Sequence, residues 1–131
     1  MMRVEVFALC EHASDENGRL TILRSFDVVN GSVLPATIPD VVLAVRLKFW
    51  PSETGTHQIA VHFIDPDGVP LIEPVASAIV IQPQYEDRPC GYNLFIKFRE
   101  LTCVTTGEHG FDFYLDGVLE ARLPLYVDLH Q

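Results

Sequence analysis

Apolar and polar side chains trade places at every second position over most of this chain, and that period of two narrows the fold more than any other feature. Successive side chains of a strand point to opposite faces, so alternation marks a segment with one dry face and one wet face. Leu43, Val45, Leu47 and Phe49 point one way while Arg46, Lys48 and Trp50 point the other. Ile59, Val61 and Phe63 are opposed by His62, and Leu94, Ile96 and Phe98 by Asn93, Lys97 and Arg99. Phe111, Phe113 and Leu115 alternate with Asp112, Tyr114 and Asp116. By the same reasoning Val4, Val6, Ala8 and Cys10 share a face, as do Leu20, Ile22, Phe26 and Val28, a run that Arg24 interrupts as a bulge or an edge would. Leu119, Ala121, Leu123, Leu125 and Val127 close the series.

Turn chemistry falls between these segments. Asn17-Gly18 and Asp116-Gly117 are dipeptides that accept the positive φ of a tight hairpin. Asp65-Pro66-Asp67-Gly68 has the residue order of a type I turn. Pro70 and Pro74 make the first half of 69–83 a loop or edge and leave its second half as a strand. Helical spacing is confined to the short stretch Cys10 to Asn17. Parallel α/β folds need intervening helices and strands that are apolar on both faces. Sheets with one dry face must instead bring those faces together. The expectation is one domain over residues 1–131: an all-β, two-layer antiparallel β-sandwich, immunoglobulin-like or Greek-key, of about seven to eight strands.

A chain of 131 residues, 48% hydrophobic and 21% charged, is long enough to bury one full core. It has no run of about 18 apolar residues, and Glu5 falls where the apolar stretch of a signal peptide would lie. Cys10, Cys90 and Cys103 are an odd and sparse set, unlike the even framework of a small secreted scaffold. These features predict reduced thiols and a cytoplasmic protein. The formal charge of −9 repels phosphate backbones and anionic lipid, so neither nucleic acid nor membrane is an expected partner.

If every strand runs the full height of a sandwich, connections alternate between its two ends. One end then collects the loops near 11–18, 51–56, 83–91 and 116–117, and the other collects 31–40, 66–70 and 100–109. The first end would gather Glu11, Asp15, Glu16, Glu53, Glu86, Asp87 and Asp116, a set of oxygens of the kind that holds a hard cation between loops. Solvated loops are rich in such residues anyway, and no Asp-x-Asp spacing recurs in these. The same end would hold Cys10, His12, His57 and Cys90, a zinc set in chemistry but not in spacing. A buried Cys10 beside a surface His12 is the simpler reading.

No Gly-x-Ser-x-Gly elbow and no phosphate-binding Gly-rich loop occurs. Cys90 and His109 fall at opposite ends, and paired carboxylates cannot be recognised without geometry. The chain is therefore not read as an enzyme, and no cofactor is expected. Trp50, on the wet face beside Arg46 and Lys48, stands out. An aromatic among cations can stack on a sugar or anchor a protein interface; it can equally lie packed beneath the 83–91 loop.

Three segments occur together: Glu5 to Glu11 (Glu-Val-Phe-Ala-Leu-Cys-Glu), Asn17 to Ile22 (Asn-Gly-Arg-Leu-Thr-Ile) with Phe26-Asp27 after it, and Gly110 to Gly117 (Gly-Phe-Asp-Phe-Tyr-Leu-Asp-Gly) with Leu123 to Val127 (Leu-Pro-Leu-Tyr-Val). In these the chain resembles a family of small uncharacterised bacterial proteins, a domain of unknown function. The resemblance implies an all-β fold and a bacterial cytoplasmic setting, and it implies no site. The expected role is a non-catalytic binding or assembly module with a protein partner or a second copy of itself. Val118 to Leu129 would pair with its symmetry mate if it lay at an edge, while Pro70 and Pro74 would protect another edge. The rival readings are a cation- or carbohydrate-binding sandwich, using the acidic loops or Trp50, and a hydrolase without a recognisable motif.

Overall fold

The computed structural model describes residues 1–129. Eleven strands build two packed sheets and a small ribbon: β1 (Arg3–Glu16), β2 (Arg19–Ser25), β3 (Val28–Gly31), β4 (Ala36–Ile38), β5 (Val41–Phe49), β6 (Gly55–Ile64), β7 (Val75–Ile81), β8 (Cys90–Phe98), β9 (Leu101–Cys103), β10 (Gly107–Leu115) and β11 (Val118–Leu129). The smaller sheet has the order β2-β1-β5-β8, the larger β3-β11-β10-β6-β7, and β4 pairs with β9. The described residues include no α-helix, only a 3-10 turn at Pro51–Glu53. The all-β sandwich expected from the alternation is the fold observed.

The larger strand count has two sources. Short strands β4 and β9 form inside segments that read as loops. The run 20–28 reads as one strand, but Arg24 has φ +58. β2 ends just after it at Ser25, and the chain crosses at Phe26-Asp27 from the smaller sheet to β3 in the larger. β3 also lies parallel to β11, the exception to antiparallel pairing among the two main sheets.

The central core forms where the expected dry faces meet. Leu43, Val45, Leu47 and Phe49 from β5, Ile59, Val61 and Phe63 from β6, and Phe111 and Phe113 from β10 are all buried in one cluster. Phe63 and Phe111 stack with ring centroids 4.7 Å apart, and Phe98 lies 5.7 Å from Phe111. Each such ring contributes about 1.5–3 kcal/mol by leaving water. Asn17-Gly18 and Asp116-Gly117 both take positive φ at the two central residues, the backbone of a type I′ hairpin turn. Asp65 closes its turn by accepting from Gly68 N–H at 2.9 Å.

β1 departs from simple alternation. Its pairing with β5 shifts between Val4 and Val6, leaving Glu5 as a bulge. One extra residue changes the phase, because side chains reverse face at each position. Val4, Phe7 and Leu9 consequently meet the central core, whereas Cys10 enters a second cluster with Ala13, Val42 and Ala44. Val4 and Cys10 therefore do not share a face.

That second cluster explains why the outward face of β5 is apolar at Val42 and Ala44. The β1–β2 hairpin folds back over the smaller sheet and lays Ala13 and Ile22 against Val42, Ala44 and Phe95. Its tip reaches mid-strand: the Gly18 carbonyl accepts from Arg46 at 3.1 Å and from Asn93 at 3.4 Å. The turns at 51–54, 82–89 and 116–117 do share one end of the sandwich, as pairing of Gly55 with Ile81 and of Leu115 with Ile59 requires. The 11–18 segment does not join them, because β1 bends before reaching that end.

Candidate functional site

The expected acidic end is dispersed by that bend. Glu11 pairs with Arg24 at 2.6 Å on the folded hairpin, which also carries Asp15 and Glu16. Glu53 accepts from the backbone N–H groups of Trp50 and Met2. Burial works against the Glu53 charge, but these donors outweigh it and lower its pKa. Asp87 pairs with Arg88 in the same loop as Glu86. Asp116 turns to His57. Among the described residues no three His, Cys, Asp or Glu side chains converge as metal ligands would.

The zinc grouping of Cys10, His12, His57 and Cys90 is also separated. Cys10 is opposite Val42 at one end of β5, and Cys90 is opposite Phe49 at the other. Seven residue steps along the strand separate them, roughly 23 Å at about 3.3 Å per residue. All three cysteines are free and buried. Burial raises the pKa of Cys10 and Cys103, so both remain thiols near neutrality.

Arg46, Lys48 and Trp50 do project from the same sheet face, with different degrees of freedom. Arg46 is committed internally: it reaches Glu5 at 2.8 Å, Asn93 at 2.8 Å and the Gly18 carbonyl. This guanidinium, opposed by some desolvation and helped by Lys48, lowers the pKa of Glu5. Lys48 lies 3.4 Å from the same carboxylate. Trp50 remains 46% exposed, bordering a small cleft with Arg3, Lys48 and Pro89.

Two polar constellations form, one of them joining His57 and Asp116 from the two groupings expected at one end. His57 binds Asp116 through Nδ1 and the Glu53 carbonyl through Nε2, each at 2.7 Å. On the outer face of the larger sheet, Arg122 grips the buried Asp112 with two bonds of 2.6 and 2.9 Å, and His62 packs against Tyr114 with ring centroids 4.8 Å apart. Alternation places Asp112, Arg122, His62 and Tyr114 outward, but cross-strand register brings them together, and register is not written in any one strand.

A separate surface feature is a strand edge. β7 closes the larger sheet and pairs with β6 alone. The direction of its free groups follows from its neighbours. Phe63 O accepts from Leu71 on the β7 side of β6, whereas Gln58 O accepts from Asp116 on the β10 side. Backbone groups alternate along an antiparallel ladder, so Ile59 faces β7 and its opposite number Ser77 faces back. The N–H and C=O of Ala76, Ala78 and Val80 therefore point away from the sheet with no strand to meet them. Their side chains are exposed, Val80 to 57%, while Ile79 and Ile81 anchor the strand in the core.

Natural sheets blunt such edges with charge, proline or bulges. β2 carries Arg19 and Arg24, and β8 carries Lys97. The free part of β1 contains Arg3 and the Glu5 bulge. β11 is covered by β3 over Tyr126–Leu129, and its uncovered part has a register shift opposite Phe113 and Tyr114 and holds Glu120, Arg122 and Pro124. β7 reads Val-Ala-Ser-Ala-Ile-Val-Ile, uncharged throughout and β-branched at Val75, Ile79, Val80 and Ile81. Pro74 lies outside it, so the expected proline protection stops one residue short, and the open edge is β7 in preference to the last strand.

A sequence model described as a family of unknown function (DUF6941) matches residues 5–128. No curated protein matches the chain. Among solved structures, the chain is similar to the alkylpurine DNA glycosylase AlkC of Pseudomonas fluorescens bound to DNA containing an abasic site analogue, with 9% identity and a TM-score of 0.43. That alignment covers 96% of this chain, which spans 30% of the glycosylase chain.

Proposed function

The chain belongs to DUF6941, a family of unknown function, and on that footing we propose that it is a non-catalytic interaction module which works by strand addition at the open edge of β7. The observation that carries this reading is the outward row of main-chain groups at Ala76, Ala78 and Val80 on an uncharged strand. An extended partner strand laid on that row gains about 1 kcal/mol net for each main-chain hydrogen bond. Exposed Ala and Val side chains on one face of β7 leave room for the partner's own side chains. In a molecule of charge −9, an uncharged edge is also where a second polypeptide meets the least like-charge repulsion.

A bacterial cytoplasmic setting completes the proposal, since three buried free thiols suit a reducing compartment. No helix among the described residues is long and apolar enough to cross a membrane.

Amide hydrogen exchange tests the reading. A synthetic heptapeptide of the β7 sequence with lysine tails serves as the probe. Added in excess, it is expected to slow exchange at Ala76, Ala78 and Val80. Ala78→Pro deletes an outward donor while leaving the ladder to β6 intact, and is expected to abolish that protection. Fast exchange at all three amides, with or without probe and at every protein concentration, defeats the proposal.

A further inference from the structure

We infer that the strand received at this edge is β7 of a second copy, giving a two-fold dimer in which the two larger sheets become one. The inference rests on the strand-addition reading above and names its partner. β7 is self-complementary in each respect that an isologous contact requires. An axis through Ala78 places Ala78 opposite its own mate and Ala76 opposite Val80 of the second copy. All the outward N–H and C=O groups of these residues then find partners in the narrow, doubly bonded positions of an antiparallel ladder.

The side chains agree with that register. Ala78 meets Ala78 on the outer face, where larger residues would crowd the axis, and Val80 covers Ala76 on either side. Val75 falls opposite Ile81, so aliphatic side chains continue the inner face of the sheet across the junction. Charge supplies the selectivity. Two molecules of charge −9 repel one another wherever charged edges approach, and β7 brings no charged residue to the axis. Pro74 and Pro83 bracket the strand and limit the pairing to this one segment. Closure about a two-fold axis leaves neither β7 edge free, so the pairing ends at a dimer instead of growing into a fibre.

One strand edge is a small interface, so the dissociation constant is expected on the order of 10 µM. Sedimentation velocity from about 1 to about 300 µM brackets that value and should show a shift from monomer to twice the monomer mass. Val80→Lys is expected to hold the protein monomeric over the whole range. Ala78→Cys supplies a positive signal. A doubly bonded antiparallel pair has Cα atoms about 5.5 Å apart, within disulfide reach, and the three native thiols are buried. Mild oxidation should therefore give a covalent dimer of Ala78→Cys and none of the parent. A dimer that survives Val80→Lys and fails to cross-link at position 78 overturns the inference. A monomer at every concentration also overturns it, and the heptapeptide then separates the two ideas: protection by the probe keeps strand addition with a different partner, and its absence removes both.

Discussion

The guanidinium of Arg46 crosses from the middle of β5 to the carbonyl of Gly18, 28 residues earlier in the chain, at 3.1 Å. With Glu5 and Asn93 each at 2.8 Å it ties the tip of the folded hairpin to the sheet beneath. The Arg46 side chain is 22% exposed, and its bond to Asn93 is partly buried while those to Glu5 and Gly18 face solvent. Arg46→Met keeps the aliphatic stem and removes every donor. It is expected to lower unfolding free energy by about 1–3 kcal/mol, read as a fall in the urea midpoint. Arg46→Lys should not restore it, because a single ammonium cannot reach three acceptors in the plane of a fork.

Gly91 is part of the same arrangement. It lies on β8 opposite Lys48, and a Cβ built there would overlap the Arg46 guanidinium. Gly91→Ala is therefore expected to cost about 1 kcal/mol by dislodging Arg46, although alanine suits a strand better than glycine. In the Arg46→Met background the same change should cost nothing or stabilise. A double-mutant cycle in urea measures the coupling, and simple additivity would show that Gly91 serves some other purpose.

The period of two revealed the buried residues of β5, β6 and β10 because each crosses the sandwich with one face in the core. It misassigned β1 because the Glu5 bulge reverses the phase, a change that two valines either side of a glutamate do not reveal. The apolar outward residues Val42, Ala44 and Phe95 remain unexplained in a one-faced reading; their cover is the hairpin 11–25, which is distant in sequence from all three. The acidic grouping dissolved for the same reason, since it assumed that β1 runs straight to an end. The composition of β7 was legible as an uncharged aliphatic run. Its place at the edge was not, because strand order is fixed by which hairpins and crossings pack and not by any residue within the strand.

His57 makes the stability of the 116–117 end depend on pH. Both ring nitrogens face acceptors, the Asp116 carboxylate and the Glu53 carbonyl, and only the doubly protonated ring can donate to both. The Asp116 bond first, then the Glu53 carbonyl, raises the pKa of His57 against a smaller desolvation effect. A raised folded-state pKa means stabilisation that is complete below the unfolded value of about 6.5 and is lost as pH rises through the folded value. Asp116, lowered chiefly by the same bond, loses its own contribution as pH falls through its depressed value. The difference in urea midpoint between the parent and His57→Gln should be largest near pH 6 and shrink toward about pH 8.5. A difference that is flat over this interval would show that the ring stays neutral.

His109 occupies the core with one nitrogen unused. It is 1% exposed, stacks on Phe63 with centroids 5.9 Å apart, and bonds Gly107 O through Nδ1 at 3.2 Å. Its Nε2 is buried with no partner among the described residues. A buried polar atom left unbonded costs about 1–3 kcal/mol, against which the Nδ1 bond returns about 1 kcal/mol. Exchange for an apolar side chain of similar size removes both effects. His109→Phe and His109→Leu are therefore expected to be neutral or to stabilise by up to about 1–2 kcal/mol, whereas Phe63→Ala in the same cluster should cost about 3–5 kcal/mol. Denaturant titration of the three variants decides the matter. If both His109 variants prove as damaging as Phe63→Ala, then Nε2 has a bonding partner in solution that the apolar replacements lose.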